Sequence, residues 1–282
     1  MHEFVISFVT VCLIYIIVVL SLNLAFGFTG LVNLGHMAFF GFGAYASALL
    51  TLHGIPWYFS LILAGILTGI LGAIIAVITV RLKGDYFQIV TLGLAFIAIA
   101  VSRNWVSLTR GALGLPGVPE IIKDNFYYMS FVLIITLLAV IFLYWLTNSG
   151  IGKIFQAIRD DETAAAVLGK NTYLYKVLSI TISTFFAGIA GSLFVHFINF
   201  VDPTIFDLEF FVLILAMLIV GGLASIKGSI ISVFVLQIIY ESLRFFIVSP
   251  ELIGAVRSML FMGALLLILI FRPRGIFGKV DV

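Results

Sequence analysis

No Asp, Glu, Lys or Arg residue lies between Glu3 and Arg81. Over the whole chain 63% of the residues are hydrophobic and 10% are charged, and the mean hydropathy is +1.27. Ordinary soluble domains are roughly half apolar and one quarter charged. A soluble fold of 282 residues could not cover so much apolar surface. The sequence therefore predicts an all-α integral membrane protein.

The apolar runs predict a single transmembrane domain, residues 1–282, with eight or nine crossings. A spanning helix needs about 20 apolar residues. The stretch 23–51 is too long and too rich in glycine for one regular helix. The N-terminal MHEFVISFVT lacks the basic segment of a signal peptide, so the first run is expected to remain as a helix. The candidate spans are 4–22, 31–51, 57–80, 86–102, 128–147, 175–198, 208–224, 229–248 and 254–271.

The basic residues predict which loops face the cytoplasm, since short cytoplasmic loops carry an excess of Lys and Arg. Alternating the spans places the C-terminus and the charged segment 150–174 on one side, and the long loop 103–127 on the other. The first side is predicted to be cytoplasmic, because it holds ten of the 15 basic residues: Arg81, Lys83, Lys153, Arg159, Lys170, Lys176, Lys227, Arg272, Arg274 and Lys279.

The charged segment is predicted to form a short pair of surface helices. Residues 153–158 have apolar positions at helical spacing, and Asp160 and Asp161 suit a helix N-cap. Glu162 adds negative charge where the helix dipole is positive, and Gly169 suits the position just after the next helix. Such a pair could dock in a groove of another protein. A connector lying on the membrane is the alternative, but its polar face would be Lys- and Arg-rich rather than acidic.

Two intramembrane regions are candidates for a transport pathway. The first is the glycine-rich stretch that contains Asn23, Asn33 and His36, where the glycines predict either broken backbone lining a pathway or close helix packing. His36 is expected to be a hydrogen-bonding residue rather than a metal ligand. The second is one face of the fourth span, which either packs on another helix or lines a pathway; it carries Gln88, Thr91, Ala95, Ala98 and Ser102.

Several classes of function are disfavoured by the residues. The lone Cys12 and four scattered histidines provide no catalytic or metal-binding set, so no catalytic residue is assigned. A net charge of +2 gives no indication of nucleic-acid binding. The ion pair expected between Glu241 and Arg244 lies near the end of a span. The first half of the chain has no Asp, Glu or Lys at mid-membrane depth, where coupling to an ion gradient would need one. An ion-coupled secondary transporter is therefore retained only as an alternative function.

Six segments in order make the chain resemble the permease subunits of branched-chain amino acid ABC importers, of the LivM type. The resemblance covers nearly the whole chain. At Arg110 relatives more often carry glycine. The segments are GFTGLVNLGHMAFFGFGAY (27–45), RLKGDYFQIVTLG (81–93), LTRGALGLPGVP (108–119), AIRDDETAAAVLGKNTYLYK (157–176), LAMLIVGGLASIKGSIIS (215–232) and FRPRGIFG (271–278).

The resemblance implies an importer in the prokaryotic plasma membrane. The implied partners are a second related permease, two ATP-binding subunits and an extracytoplasmic substrate-binding protein. ATP and Mg would reside in the ATPase subunits, since this chain has no G-x-x-x-x-G-K-[ST] loop. The substrate would be a branched-chain or other hydrophobic L-amino acid, with urea or short amides as alternatives. The implied ATPase-coupling residues are Ile158, Arg159, Asp160, Asp161, Glu162, Ala165, Leu168 and Gly169.

Overall fold

The computed structural model describes residues 2–82, 84–246, 259, 262–263 and 275–278, and the described chain is mainly helical. A two-stranded antiparallel ribbon pairs β1 (Leu115–Pro116) with β2 (Phe200–Val201). The helices are α1 (His2–Asn23), α2 (His36–Leu52), α3 (Trp57–Thr79), α4 (Asp85–Asn104), α5 (Val106–Thr109), α6 (Asn125–Asn148), α7 (Gly150–Asp160), α8 (Glu162–Val167), α9 (Thr172–Ile198), α10 (Leu208–Gly221) and α11 (Ile226–Phe246).

Within the described residues, five helical segments are long and apolar enough to cross a membrane. They are His2–Phe28, Trp57–Thr79, Asp85–Asn104, Asn125–Asn148 and Thr172–Ile198. Two further apolar helices, α2 and α10, are shorter, and α11 extends over 21 residues. The predicted span 254–271 lies outside the described residues apart from 259, 262 and 263, so the number of crossings remains a prediction.

Helices α1 and α9 form the centre of the bundle. Side chains of α1 are buried almost continuously from Cys12 to Asn23, and α9 packs against α1, α2 and α3. In contrast, α3, α4 and α6 each expose an apolar face, with Ile78, Ile89 and Ile141 among the most exposed side chains. This arrangement matches a bundle whose outer helices face lipid.

Glycines allow α2 and α9 to touch backbone to backbone. A Cβ atom added to Gly43 would lie 2.4 Å from Gly188 Cα, and one added to Gly191 would lie 2.0 Å from the carbonyl oxygen of Phe40. Close approach of this kind is how membrane helices associate without a hydrophobic driving force. Close packing is therefore one role of these glycines.

The predicted helix over 31–51 is wrong at its start. Helix α1 ends in a π-helical turn, Leu24–Phe28, and the backbone from Thr29 to Gly35 is not helical before α2 begins at His36. Gly30 has a φ of +76°, a left-handed conformation that glycine adopts without steric cost. The glycine-rich stretch thus combines close packing with interrupted backbone.

The loop 103–127 is ordered by short elements. It contains α5, a 3₁₀ turn (Gly111–Leu113) and β1, and Thr109 Oγ1 donates to the carbonyl of Ser102 at 2.6 Å. Arg110 has a φ of +59°, in the left-handed region. That conformation favours glycine and gives a physical reason for the glycine expected at this position.

The contacts of the polar segments show that these segments lie at two opposite ends of the bundle. Tyr173 donates its hydroxyl to Val77 O at 3.0 Å, and Phe277 N–H donates to Gly221 O at 3.2 Å, so these segments share one end with α7 and α8. At the other end, Asn125 Nδ2 donates to Glu3 Oε2 at 2.9 Å, and Arg103 pairs with Asp207 at 3.6 Å. The N-terminus and the loop 103–127 therefore lie together, away from the charged segment.

Candidate functional site

Helix α7 begins one turn earlier than residues 153–158 indicated. Ser149 caps it by accepting from the N–H of Gly152 at 3.4 Å, and the helix extends from Gly150 to Asp160. Phe155 and Ile158 are buried against the bundle, and the Phe155 ring meets Tyr175 edge-on. One side of α7 therefore packs down on the membrane helices while the other faces outward.

Helix α8 begins and ends where the sequence indicated. The side chain of Asp161 accepts from the N–H groups of Thr163 and Ala164 at 2.8 and 3.0 Å, which makes it the N-cap. Gly169 follows the helix with a φ of +78°, and the N–H of Lys170 donates to Ala165 O at 3.2 Å, as in a Schellman ending. Asp160 is not a cap: it is the last residue of α7.

The cap makes the start of α8 sensitive to strong acid. Hydrogen bonds from the N–H groups of Ala164 and Thr163 hold the pKa of the Asp161 carboxyl below its usual range. A lowered pKa means that the carboxylate stabilises the helix above the ordinary Asp pKa of about 3.9. That contribution is lost only as the pH falls through the lowered value.

The outer surface of α8 ends in two exposed apolar side chains. Val167 is 84% exposed and Leu168 is 76% exposed, whereas Ala165 is buried. The sequence indicated Leu168 but missed Val167, although both end the same TAAAVL run. We call Val167 and Leu168 the apolar knob. Because it projects from the end of the bundle opposite loop 103–127, it is a candidate contact for another protein.

An ion pair ties the helix pair to the bundle. Glu162, the first residue of α8, pairs with Lys176 Nζ at 2.5 Å, and the Lys176 side chain is only 10% exposed. Lys176 lies in the first turns of α9, one of the two central helices. A displacement of α8 would therefore act on α9 through this ion pair.

Arg159 joins α7 to the interruption between α1 and α2. Its Nη1 donates to the carbonyl oxygen of Gly27 at 2.9 Å, while Nε and Nη2 both donate to Asp160 Oδ1. The last carbonyls of a helix lack intrahelical donors and carry partial negative charge, so a guanidinium is a favourable partner there. Gly30 packs on the Arg159 side chain. The helix pair is thus bonded directly to the broken backbone.

Asn23 joins the interruption to the second half of the chain. Its Oδ1 accepts from Ala224 N–H at 3.0 Å, and its Nδ2 donates to Ser229 Oγ at 2.8 Å. Asn23 is completely buried. A side chain at position 27 would clash with Asn23 and with the backbone of Ala224, so only glycine fits there. The amide therefore fastens the end of α1 to the turn between α10 and α11.

The other predicted pathway residues lie around the same interruption. His36 Nε2 hydrogen-bonds Ser21 Oγ at 2.9 Å, whereas its buried Nδ1 has no hydrogen-bond partner among the described residues, so the expected hydrogen bonding of His36 is found at one ring nitrogen. Asn33 Oδ1 accepts from Gly35 N–H at 3.1 Å, and Thr91 Oγ1 accepts from Leu34 N–H at 3.2 Å. Most of these polar groups hold the non-helical backbone in place.

The polar stripe of α4 faces the protein. Thr91, Ala95 and Ser102 are buried, while Gln88 and Ala98 are half-buried. This face contacts α2 and the turn Pro203–Phe206. The stripe therefore packs on other elements, which is one of the two roles that the sequence left open. The expected partner of Glu241, the Arg244 side chain, lies outside the described part of the chain.

The arrangement defines a class of protein: a multi-span α-helical membrane protein with an interrupted central helix bonded to a surface helix pair. Comparison with known proteins narrows this class. The profile of the family described as "Branched-chain amino acid transport system / permease component" matches residues 4–270. The chain belongs to this family.

Curated relatives carry matching names. The high-affinity branched-chain amino acid transport system permease proteins LivM of Escherichia coli K12 and Salmonella typhimurium LT2 are 30% and 31% identical to this chain. Each alignment covers 95% of this chain and 68% of the relative. The probable LivM permease of Methanocaldococcus jannaschii is 25% identical over 95% of this chain and 92% of its own. No solved structure matches.

Proposed function

We propose that this chain forms half of the translocation pathway of an ABC importer for branched-chain or other hydrophobic L-amino acids. Membership of the permease family is the observation that carries the proposal. The names of the relatives favour branched-chain amino acids over urea or short amides. They also favour a multi-subunit transport system over an ion-coupled carrier.

The proposed assembly places this chain in the prokaryotic plasma membrane beside a second, related permease. Two ATP-binding subunits would hold ATP and Mg, and an extracytoplasmic binding protein would deliver the substrate. Helices α7 and α8 and the C-terminus would face the cytoplasm. The excess of basic residues at that end supports this orientation.

The apolar knob would seat in a groove of an ATP-binding subunit. Its two side chains are exposed on a helix that is capped at both ends, so little ordering would be needed on docking. Ile158 and Ala165 would support the knob from below, because both are buried. Docked helices of this kind bind through a few apolar anchors.

Movement of the ATPases would reach the pathway through two bonds. The pair Glu162–Lys176 connects α8 to α9, and the bond from Arg159 to the Gly27 carbonyl connects α7 to the interruption. The interruption, residues 24–35, contains Asn33, is bounded by Asn23 and His36, and packs on Thr91, so it would be the moving part of the pathway during alternating access. Gln88, one turn before Thr91, would lie at its edge.

Co-purification from the native host tests the proposal. A tagged chain in mild detergent should retain a second permease and the ATP-binding subunits. The double substitution Val167→Asp with Leu168→Asp should remove the ATP-binding subunits, because two charges cannot enter an apolar groove unpaired. It should leave the second permease bound, since neither side chain packs on the bundle.

Leu113→Asp is the matched control. Leu113 is 76% exposed, as Leu168 is, but lies in loop 103–127 at the opposite end of the bundle. The control should keep the ATP-binding subunits. If the unaltered chain carries no ATP-binding subunit, the importer proposal fails; if the double variant still carries them, only the docking assignment fails.

A further inference from the structure

A cleft of about 540 Å³ opens at the end of the bundle that carries α7 and α8. The end of α6, the start of α7 and the start of α11 form its walls, with Phe28 and Ala224 contributing apolar surface. Its polar lining includes Tyr144, Asn148, Lys153, Gln156, Ser225 and Lys227. The coupling and pathway arguments above use none of these six residues.

The cleft carries two positive charges without a counter-charge in the described chain. Lys153 and Lys227 are both exposed, and the ion pairs formed among the described residues involve Arg103, Arg159 and Lys176 instead. Lys227 is also the second residue of α11, where the helix dipole adds positive potential. Ser225 Oγ accepts from Gly228 N–H, and the preceding N–H groups of this helix have no intrahelical acceptor. The lining is therefore suited to an anion.

The mouth of the cleft continues into an apolar outer surface. Tyr144 follows Leu137, Leu138 and Ile141 along the exposed side of α6, and Trp145 is exposed beside it. Tyr and Trp at the end of an apolar helix face are typical of the membrane–water interface. A molecule with an anionic head and apolar tails would match both surfaces at once.

We propose that the cleft binds an anionic phospholipid, with its phosphate between Lys153 and Lys227 and its acyl chains along α6. Asn148 and Tyr144 line the cleft and are exposed, so their side chains are available to hydrogen-bond the headgroup. Basic pockets between helices on one side of a membrane bind phospholipid heads by this combination of charges and donors. This lipid site is separate from the apolar knob and does not depend on the transport proposal.

Native mass spectrometry of the full-length chain, purified with whatever subunits accompany it, tests the site. The probes are the anionic lipid phosphatidylglycerol, the zwitterionic lipid phosphatidylcholine, and soluble glycerol 3-phosphate. Phosphatidylglycerol should bind more tightly than phosphatidylcholine. The double variant Lys153→Gln with Lys227→Gln should weaken phosphatidylglycerol binding by roughly 25-fold, since each lysine near an anionic lipid contributes roughly fivefold.

Lys170→Gln is the control, because Lys170 is an exposed lysine at the same end but outside the cleft. It should bind phosphatidylglycerol as the unaltered chain does. Equal loss in the control and the double variant would show general surface charge and overturn the site. Binding of glycerol 3-phosphate as tight as that of the lipid would overturn the role of the α6 face. Unchanged lipid binding in the double variant would overturn the proposal outright.

Discussion

Arg159 connects two parts of the molecule that are far apart in sequence. Its guanidinium is held by Asp160 on one side and reaches the Gly27 carbonyl on the other. The side chain is only 15% exposed, so its role is directed into the bundle rather than toward a docked partner. Arg suits this position because its planar fork can serve both acceptors in fixed geometry.

Arg159→Gln should reduce substrate uptake roughly tenfold or more, since a hydrogen bond from a charged donor to a buried carbonyl would be lost. The ATP-binding subunits should still associate, because the apolar knob is unaltered. Uptake into vesicles containing the binding protein, measured beside co-purification, separates the two effects. Arg159→Lys should restore uptake only in part, because an ammonium lacks the fork geometry.

Lys170→Gln again provides the comparison, as it removes a charge from the same segment without touching the interruption. Its uptake should equal that of the unaltered chain. Normal uptake by Arg159→Gln would show that the bond to Gly27 does not transmit movement.

For single residues, the roles that depend on sequence neighbours were predictable, and the roles that depend on partners far away in the sequence were not. The Asp161 cap and the Gly169 ending depend on neighbouring residues, and both are where the sequence indicated. The partner of Arg159 is 132 residues away, and nothing in the residues near Gly27 announces it. Asp160 suited a cap by type, but α7 extends through it and uses its carboxylate to orient Arg159.

Among the elements, the backbone contact between α2 and α9 leaves little room for change. Gly43→Ala would place a methyl carbon against the backbone of Gly188, and backbone cannot move aside as a flexible side chain can. We expect a loss of about 1–3 kcal/mol in stability, as is typical of overpacking. The measurement is the apparent melting temperature of the purified chain by fluorescence-detected size exclusion.

Gly93→Ala is the paired control, since no atom lies within 4 Å of a Cβ built there. Alanine is also the better helix former, so the control should melt at the same temperature or slightly higher. Equal melting of the two variants would mean that α2 and α9 separate at little cost, contrary to their close contact.

Apolar length predicted the long helices but not the breaks between them. Helices α3, α4, α6 and α9 lie within a few residues of their predicted spans. The predicted start of α2 was wrong, because the apolar residues Leu31 and Leu34 were counted into the span while the backbone turns at Gly30. Glycine and Asn residues signalled an irregularity there, but the residues bonded to Asn23 and Gly27 on either side of the π-helical turn, Ser229 of α11 and Arg159 of α7, are distant in sequence.

For the molecule as a whole, one pair of substitutions tests the proposed orientation. Cys12 is completely buried, so a membrane-impermeant maleimide should not label the unaltered chain. In cells that produce this chain without the ATP-binding subunits, so that the apolar knob is uncovered, Leu113→Cys should be labelled while the cells are intact, whereas Leu168→Cys should be labelled only after the membrane is made permeable. The two positions have equal exposure and lie at opposite ends of the bundle.

Labelling of Leu168→Cys in intact cells would reverse the orientation and remove the basis for docking on cytoplasmic ATPases.

The grouping of polar segments at each end was predictable from alternating spans, and the structure groups the described ones in the same way. The lysine cleft was not predictable, because Lys153 and Lys227 come from different helices and meet only in the folded bundle.

Asn23 has a consequence for how the protein is made. Its hydrogen-bond partners, Ala224, Ser225 and Ser229, follow it by 201 to 206 residues. At a ribosomal rate of roughly 5 to 20 residues per second, they emerge roughly 10 to 40 seconds after Asn23 does. Throughout that interval the amide must find an interim partner in water, in the insertion machinery or in another helix. Release from this partner is then a late step of biogenesis, completed only when the turn before α11 arrives.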